Sequence, residues 1–309
     1  MSSPIAILLG VIQGLTEFLP ISSTAHLLLV PLLLGMEDPG ASYAAVIQCG
    51  TLVAVVVAMR RDIGRIVRGF LRGVLAGRPL GSPESRAGVL VILGTVPIVA
   101  AGYGLRHLIR EEARRPDVVI LAVLLGTLLL AAAEVVLALR GRRGIAGRDG
   151  IEGVTITDGI VMGLFQTLAL LPGASRSGVT IASGVFTGLD RRTAARLSFL
   201  LSLPAVAAAG LLEAWQAREA IFGTSQDLVA AAVGTLTAAV VGFLAIRWLL
   251  SALTRHTLWP FVIYRLALAG LLAAWLSGWR PSVEGISSAI GSSDTSSASP
   301  DCTISRPVT

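Results

Sequence analysis

The chain has 309 residues, of which 54% are hydrophobic and only 14% charged, and its mean hydropathy is +0.78. A soluble domain carries about 25% charged residues, so this composition excludes an ordinary soluble enzyme and indicates an all-α integral membrane protein. The basic residues are 25 Arg and no Lys, a bias of genome composition, so the high isoelectric point implies no nucleic-acid partner. Two cysteines, Cys49 in an apolar run and Cys302 near the end, make no disulfide framework.

The first residues, 1–9, lack a basic region and a small-residue cleavage site, and are read as retained. Residues 4–35 follow as an apolar region broken at Pro20. Proline removes a helix donor and clashes with the preceding turn. The two pieces, roughly 10 to 14 residues each, suit a re-entrant hairpin better than a crossing. Three spans are expected next, at 43–59, 87–105 and 117–139. The segment 60–86 between the first two is read as a loop with seven Arg against Asp62 and Glu84. The connection 140–157 is also Arg-rich, and both are expected to be cytoplasmic by the positive-inside rule. A second broken region, 158–188, interrupted at Pro172-Gly173, precedes three more spans at 193–212, 228–250 and 258–276.

These elements make two repeats, 1–139 and 158–279, each a hairpin followed by three spans, with opposite topology. Inverted repeats place broken helices at a shared central site. The tail 280–309 is rich in Ser, Gly and Ala and is expected to be disordered.

The two broken regions look like copies of each other. Each runs Gly, two apolar residues, Gln, an apolar half-helix, Pro, then a Ser-rich turn into a second half-helix: Gly10 to His26, and Gly163 to Thr180. Ser22, Ser23 and Ser175 open the second half-helices and suit N-caps. A helix N-terminus presents free N–H groups to phosphate or carboxylate, so two facing tips form an anion cradle. Arg176 has the planar fork for bidentate phosphate binding. Ser177 and Thr180 share a face and either add hydroxyls to the cradle or bond their own backbone.

Gln13 and Glu17 stack four apart on one face. Glu17 can hold a divalent metal with substrate oxygens or act as a general base, with Gln13 as a second ligand or as glue between helices. His26 can be a nucleophile, a base for Ser23, a proton donor or a structural histidine. Arg247 and Glu134 lie near span ends and are read as snorkelling or paired. Arg265 lies deeper and is read as half of an ion pair. His107 and His256 are read as solvated.

Two motifs carry a resemblance to the undecaprenyl-diphosphate phosphatase family, also called the bacitracin-resistance protein family. One is Gln13-x-x-x-Glu17 followed by Ser22-Ser23-Thr24-Ala25-His26. The other is Pro172-Gly-Ala-Ser-Arg-Ser-Gly-Val-Thr180. Segments 43–50 and 195–204 are also similar, so the likeness reaches about residue 279.

The resemblance implies a multi-pass phosphatase of the bacterial plasma membrane, its site facing the outer side. It implies six spans, two re-entrant hairpins, and removal of the terminal phosphate of undecaprenyl diphosphate to recycle the cell-wall lipid carrier. Bacitracin would compete for the substrate rather than bind the protein. A divalent cation, Mg²⁺ or Ca²⁺, would support activity. Glu17, His26, Arg176 and Ser23 become the catalytic candidates, and Ser22, Ser175, Ser177 and Thr180 the phosphate-binding ones. Some members have Glu where this chain has Gln13, which removes one potential metal ligand.

The attacking group stays open among His26, Ser23 and a water oriented by Glu17. Oligomeric state, a homodimer included, stays open too. The competing reading is a secondary transporter or lipid flippase with a central anion site, because broken inverted repeats serve transport as well.

Overall fold

The computed structural model describes residues 1–36, 40–105, 109, 115–216, 218 and 223–278. The Ser-rich tail with Cys302, His107 and parts of the connections 106–116 and 213–227 lie outside the described residues. Eleven α-helices are described. The first hairpin is α1 (Ser3–Phe18) and α2 (Ser23–Leu33). Then come α3 (Gly40–Ala58), α4 (Arg60–Leu75), α5 (Pro83–Gly104) and α6 (Pro116–Arg142). The second hairpin is α7 (Ile156–Gln166), a 3₁₀ turn (Thr167–Leu170) and α8 (Arg176–Phe186). The chain continues through α9 (Arg191–Gln216), α10 (Ser225–Ala252) and α11 (Trp259–Leu276).

Both hairpins break for the same local reason. A residue before proline is pushed out of the helical region toward extended backbone. Leu19, before Pro20, has ψ 140°, and Leu171, before Pro172, has ψ 114°. Helix starts follow the capping rules. Ser82 accepts from the Ser85 N–H ahead of Pro83, and Thr155 and Asp158 form a reciprocal capping box on α7.

Among the described residues five helices are long and apolar enough to cross a membrane: α5, α6, α9, α10 and α11. A sixth candidate is α3 taken with the helix after it; the 19 residues of α3 reach about 28 Å at 1.5 Å per residue. The helix α3 bends by 77° into α4. Here the sequence reading needs correction, because most of the segment expected to be a loop at 60–86 is the helix α4. Its arginines recur three and four apart, a helical spacing that net charge alone conceals. The expected connection 140–157 is also shorter, since α6 continues to Arg142.

The two halves are interlocked. The first hairpin packs on α10 and the second packs on α5, so each hairpin leans on a span from the other half. Glycine allows these close approaches. A Cβ on Gly10 would lie 2.5 Å from the Gly234 carbonyl oxygen, and one on Gly163 would lie 2.5 Å from the Gly94 Cα. Small residues of this kind let backbones meet where lipid offers no hydrophobic drive between helices.

Ion pairs fasten the helix ends. Arg191 makes a bidentate pair with buried Glu134, 2.7 Å on each oxygen, and Glu134 also accepts from the Leu258 N–H. Glu134 is therefore paired and not snorkelling. Arg247 lies over the Phe243 ring. Arg148 grips Asp158 with two bonds of 2.7 Å and reaches the Gly153 and Thr187 carbonyls, tying the base of the second hairpin. Asp62 on α4 accepts from Arg65 and from Arg196 of α9, each at 2.7 Å. Burial pushes the Asp62 carboxyl up, but these two guanidinium groups more than reverse it and hold its pKa below the ordinary carboxylate value.

Gly10→Val is expected to destabilise the protein by about 1–3 kcal/mol through overpacking, read as a lower Tm in detergent. Gly270→Ala, where a Cβ meets nothing within 4 Å, is the matched control and should leave Tm unchanged or raised.

Candidate active site

The hairpin tips share one unusual backbone. Ser22 (φ 75°) and Ser175 (φ 69°) are the only non-glycine residues with positive φ among those described. Such conformations cost about 1–3 kcal/mol and concentrate at functional sites. Each serine caps the half-helix after it, Ser22 accepting from the Ala25 N–H and Ser175 from the Gly178 N–H. Gly10 and Gly163, Gln13 and Gln166, and Ser22 and Ser175 correspond at one constant offset along the chain. On that common frame the side chains differ. Leu170 stands where the first copy has Glu17, Arg176 where it has Ser23, and Val179 where it has His26. The carboxylate, hydroxyl and imidazole sit on one hairpin and the guanidinium on the other.

Packing brings them together. Arg176 Nη2 donates to Glu17 Oε1 at 2.7 Å, and both side chains are largely enclosed. Glu17 has three further donors. Gln48 Nε2 reaches Oε1 at 3.3 Å, while Gln13 Nε2 and the Ser23 hydroxyl reach Oε2, each at 3.0 Å. Arg176 Nη1, in contrast, is buried with no hydrogen-bond partner. An unpaired buried donor costs about 1–3 kcal/mol, and native proteins rarely tolerate one without a use for it.

His26 is held at both ring nitrogens. Nδ1 lies 2.7 Å from the Ser22 carbonyl oxygen and Nε2 lies 2.6 Å from the Tyr264 hydroxyl. A carbonyl only accepts, so Nδ1 carries the hydrogen and neutral Nε2 accepts from the phenol. The two rings lie nearly parallel, 5.6 Å apart.

Arg265 departs from the expected ion pair. It is fully buried, and among the described residues its partners include no carboxylate. It donates to the Thr127 hydroxyl at 2.9 Å, to Val123 O at 2.8 Å, to Pro20 O at 3.4 Å, and to Gly173 O and Ala174 O at 3.3 and 3.1 Å. It thus binds the carbonyls of both broken tips and staples them to α6. The Ser177 hydroxyl adds a bond across the tips to Leu19 O at 3.1 Å and lies 3.3 Å from the Ser175 hydroxyl.

Thr180 is the candidate that packing takes away from the cradle. Its hydroxyl bonds the Arg176 carbonyl at 2.7 Å and meets Ser198 of α9 at 2.6 Å. Gln166 is fully buried, and neither of its amide atoms has a partner. His256 is exposed, as expected.

The sequence reading missed Gln48 and Tyr264 as site residues. Gln48 lies in the family-like stretch 43–50, a usable signal. Tyr264 carries no such signal, because an aromatic residue in a span is ordinary.

The residues present do not make a resident metal site. Among the described residues no group of three or more His, Cys, Asp or Glu converges on one point. Glu17 offers one carboxylate whose oxygens already face four donors, and Gln13 turns its NH₂ toward it. A hard cation needs more oxygen ligands than this.

Fold and site together define a multi-pass helical membrane protein with a buried polar centre at two hairpin tips. The chain belongs to the family of the bacitracin resistance protein BacA, whose model matches residues 6–271. It is 48% identical over 263 residues to the undecaprenyl-diphosphatase of Chlorobaculum tepidum, covering 85% of this chain and 93% of that one. It is 45% identical over 278 residues to the undecaprenyl-diphosphatase of Chlorobium limicola, covering 89% and 98%.

Arg265→Lys is expected to destabilise the protein, because three ammonium hydrogens cannot serve five acceptors. Each acceptor left unpaired costs about 1–3 kcal/mol. Thermal unfolding in detergent checks this beside Arg247→Lys, which should shift Tm far less.

Proposed function

We propose that this chain is a membrane phosphatase that hydrolyses undecaprenyl diphosphate to undecaprenyl phosphate and inorganic phosphate, recycling the lipid carrier of cell-wall synthesis and supporting bacitracin resistance. The observation that carries the reading is the divided guanidinium of Arg176. One nitrogen orients Glu17, and the other is a buried, unused donor suited to a phosphoryl oxygen. The relatives' names point the same way, and they do not favour the transporter reading.

The diphosphate lies against the two half-helix tips, where free N–H groups and Arg176 neutralise its charge. Ser23 is the attacking group in this reading. Its hydroxyl already donates to Glu17, and Gln13, Gln48 and Arg176 hold that carboxylate in place, which is the geometry of a nucleophile with an oriented base. Ser23 Oγ attacks the terminal phosphorus as its proton passes to Glu17. The bond to the bridging oxygen breaks, and that oxygen leaves with undecaprenyl phosphate. Water then cleaves the phosphoserine. Glu17 returns its proton to Ser23 Oγ in that step, undecaprenyl phosphate leaves as an anion whose oxygen needs no proton, and His26 acts by holding the Tyr264 hydroxyl at Nε2. Ser22 and Ser175 hold the tips open, and Ser177 locks them together.

Mg²⁺ or Ca²⁺ would be held mainly by the substrate's own oxygens, with Glu17 the one carboxylate at hand, and would supply additional charge neutralisation. The halves are read as inverted repeats, and the arginines of 60–86 and 140–152 support a cytoplasmic placement of those segments. The site then serves the outer side of a bacterial plasma membrane.

Phosphate release from undecaprenyl diphosphate by detergent-purified protein tests the activity. Arg176→Ala should lower kcat/KM by about 10³-fold, the scale for losing a charge-stabilising group, and EDTA should suppress the parent. Release by Arg176→Ala equal to the parent would remove Arg176 from the chemistry.

Acid quench during turnover of labelled substrate separates the attacking groups. Label on Ser23, absent in Ser23→Ala, is expected. Label on His26, or full activity in Ser23→Ala, overturns the serine route.

A further inference from the structure

The helix α4 has no part in the hairpin chemistry, yet its side chains are sorted with unusual strictness. Residues on a helix share a face at spacings of three and four. Arg65, Arg68 and Arg72 form one such row, and Val67, Leu71 and Val74 form another. The apolar row is exposed, Val67 at 48%, Leu71 at 52% and Val74 at 49%, with Leu75 at 87% beside it. The third side faces the protein. A Cβ on Gly69 would lie 2.5 Å from Glu84 Cβ, one on Gly73 would collide with the Ser85 hydroxyl, and Phe70 packs on Gly88.

This docking makes the arginine face rigid. The turn after α4 is fastened by the Ser85 hydroxyl, which donates to the Pro79 carbonyl at 2.7 Å. It brings Arg78 opposite the row, and Arg65, Arg68, Arg72 and Arg78 with Gly69, Gly73 and Ser82 enclose an open basin of about 620 Å³. Glu84 is the one acidic residue in its lining. Arg65 is paired to Asp62, and Arg68 reaches the Gly64 carbonyl through Nε. The guanidinium groups of Arg72 and Arg78 have no partner among the described residues.

We propose that α4 and the turn carrying Arg78 form a binding site for the phosphate headgroup of an anionic glycerophospholipid. Two observations select a membrane lipid as the occupant. The helix leaves a membrane span at 77°, which lays it along the bilayer surface, and the exposed apolar row is continuous with that span. A helix with this sorting lies in the interface, its apolar side among acyl chains and its basic side at the headgroups. Lipid chains cover Val67, Leu71 and Val74 while the phosphate is drawn to Arg68, Arg72 and Arg78. The site anchors the bend between α3 and α4, and through Asp62 and Arg196 it is joined to α9.

The test is native mass spectrometry of the full chain, titrated in detergent with phosphatidylglycerol or phosphatidylcholine. Each basic residue near a headgroup contributes about fivefold, so the parent should prefer phosphatidylglycerol by about 100-fold. Arg68→Gln/Arg72→Gln/Arg78→Gln should abolish the preference, and Arg142→Gln/Arg143→Gln, equal in kind but at the end of α6, should keep it. Arg72→Gln alone breaks no internal contact, keeps the fold, and should lose about fivefold. Equal retention of the two lipids by the parent would overturn the proposal. So would an unchanged preference in the triple variant, or an equal loss in the Arg142/Arg143 control. Displacement of phosphatidylglycerol by inorganic phosphate at matched concentration would show a free-anion site and also overturn it.

Discussion

A chain that breaks its helices inside a membrane must satisfy the freed backbone groups within the protein, because lipid offers no hydrogen bonds. That requirement organises this structure. The two breaks, at Leu19-Pro20 and Leu171-Pro172, leave carbonyls without helical partners, and the fully buried guanidinium of Arg265 gathers those of Pro20, Gly173 and Ala174. A planar fork with five hydrogens suits this task, and an ammonium does not. With the carbonyl sides of the tips turned toward Arg265, the N-termini of α2 and α8 are left to their serine caps.

The same constraint explains why the charged groups Glu17 and Arg176 are divided between the hairpins. Neither hairpin could hold Glu17 or Arg176 alone at low cost, since an isolated charge in a low-dielectric interior is expensive. Each therefore depends on the other, and the 2.7 Å pair between them forms only when the two halves interlock. Glycines at Gly10, Gly159 and Gly163 set how closely the hairpins approach the supporting spans, so packing far from the tips sets the geometry of the pair.

Much of this was legible in the chain. Apolar runs of span length marked the crossings, and the prolines marked the breaks. Glu17, His26 and Arg176 drew attention because charge in an apolar run is costly. Two features are not legible there. The net charge of 60–86 indicates a side of the membrane, and only the spacing of its arginines indicates a helix. Arg265 finds its acceptors in backbone carbonyls freed by the breaks and not in a carboxylate. Thr180 bonds its own backbone and Ser198, the second of the two readings its position allowed.

The sequence by itself determined the membrane class, the apolar helices, the paired breaks and the family, because each follows from local composition, proline chemistry or a contiguous motif. Only the tertiary structure decided which side chains meet. Glu17 and Gln48, Glu17 and Arg176, His26 and Tyr264, and Arg265 and the two tips all lie far apart along the chain. No local rule encodes such encounters. They arise because each hairpin packs against a span of the opposite half, and a contact made by that exchange has no trace in the spacing of residues along either half.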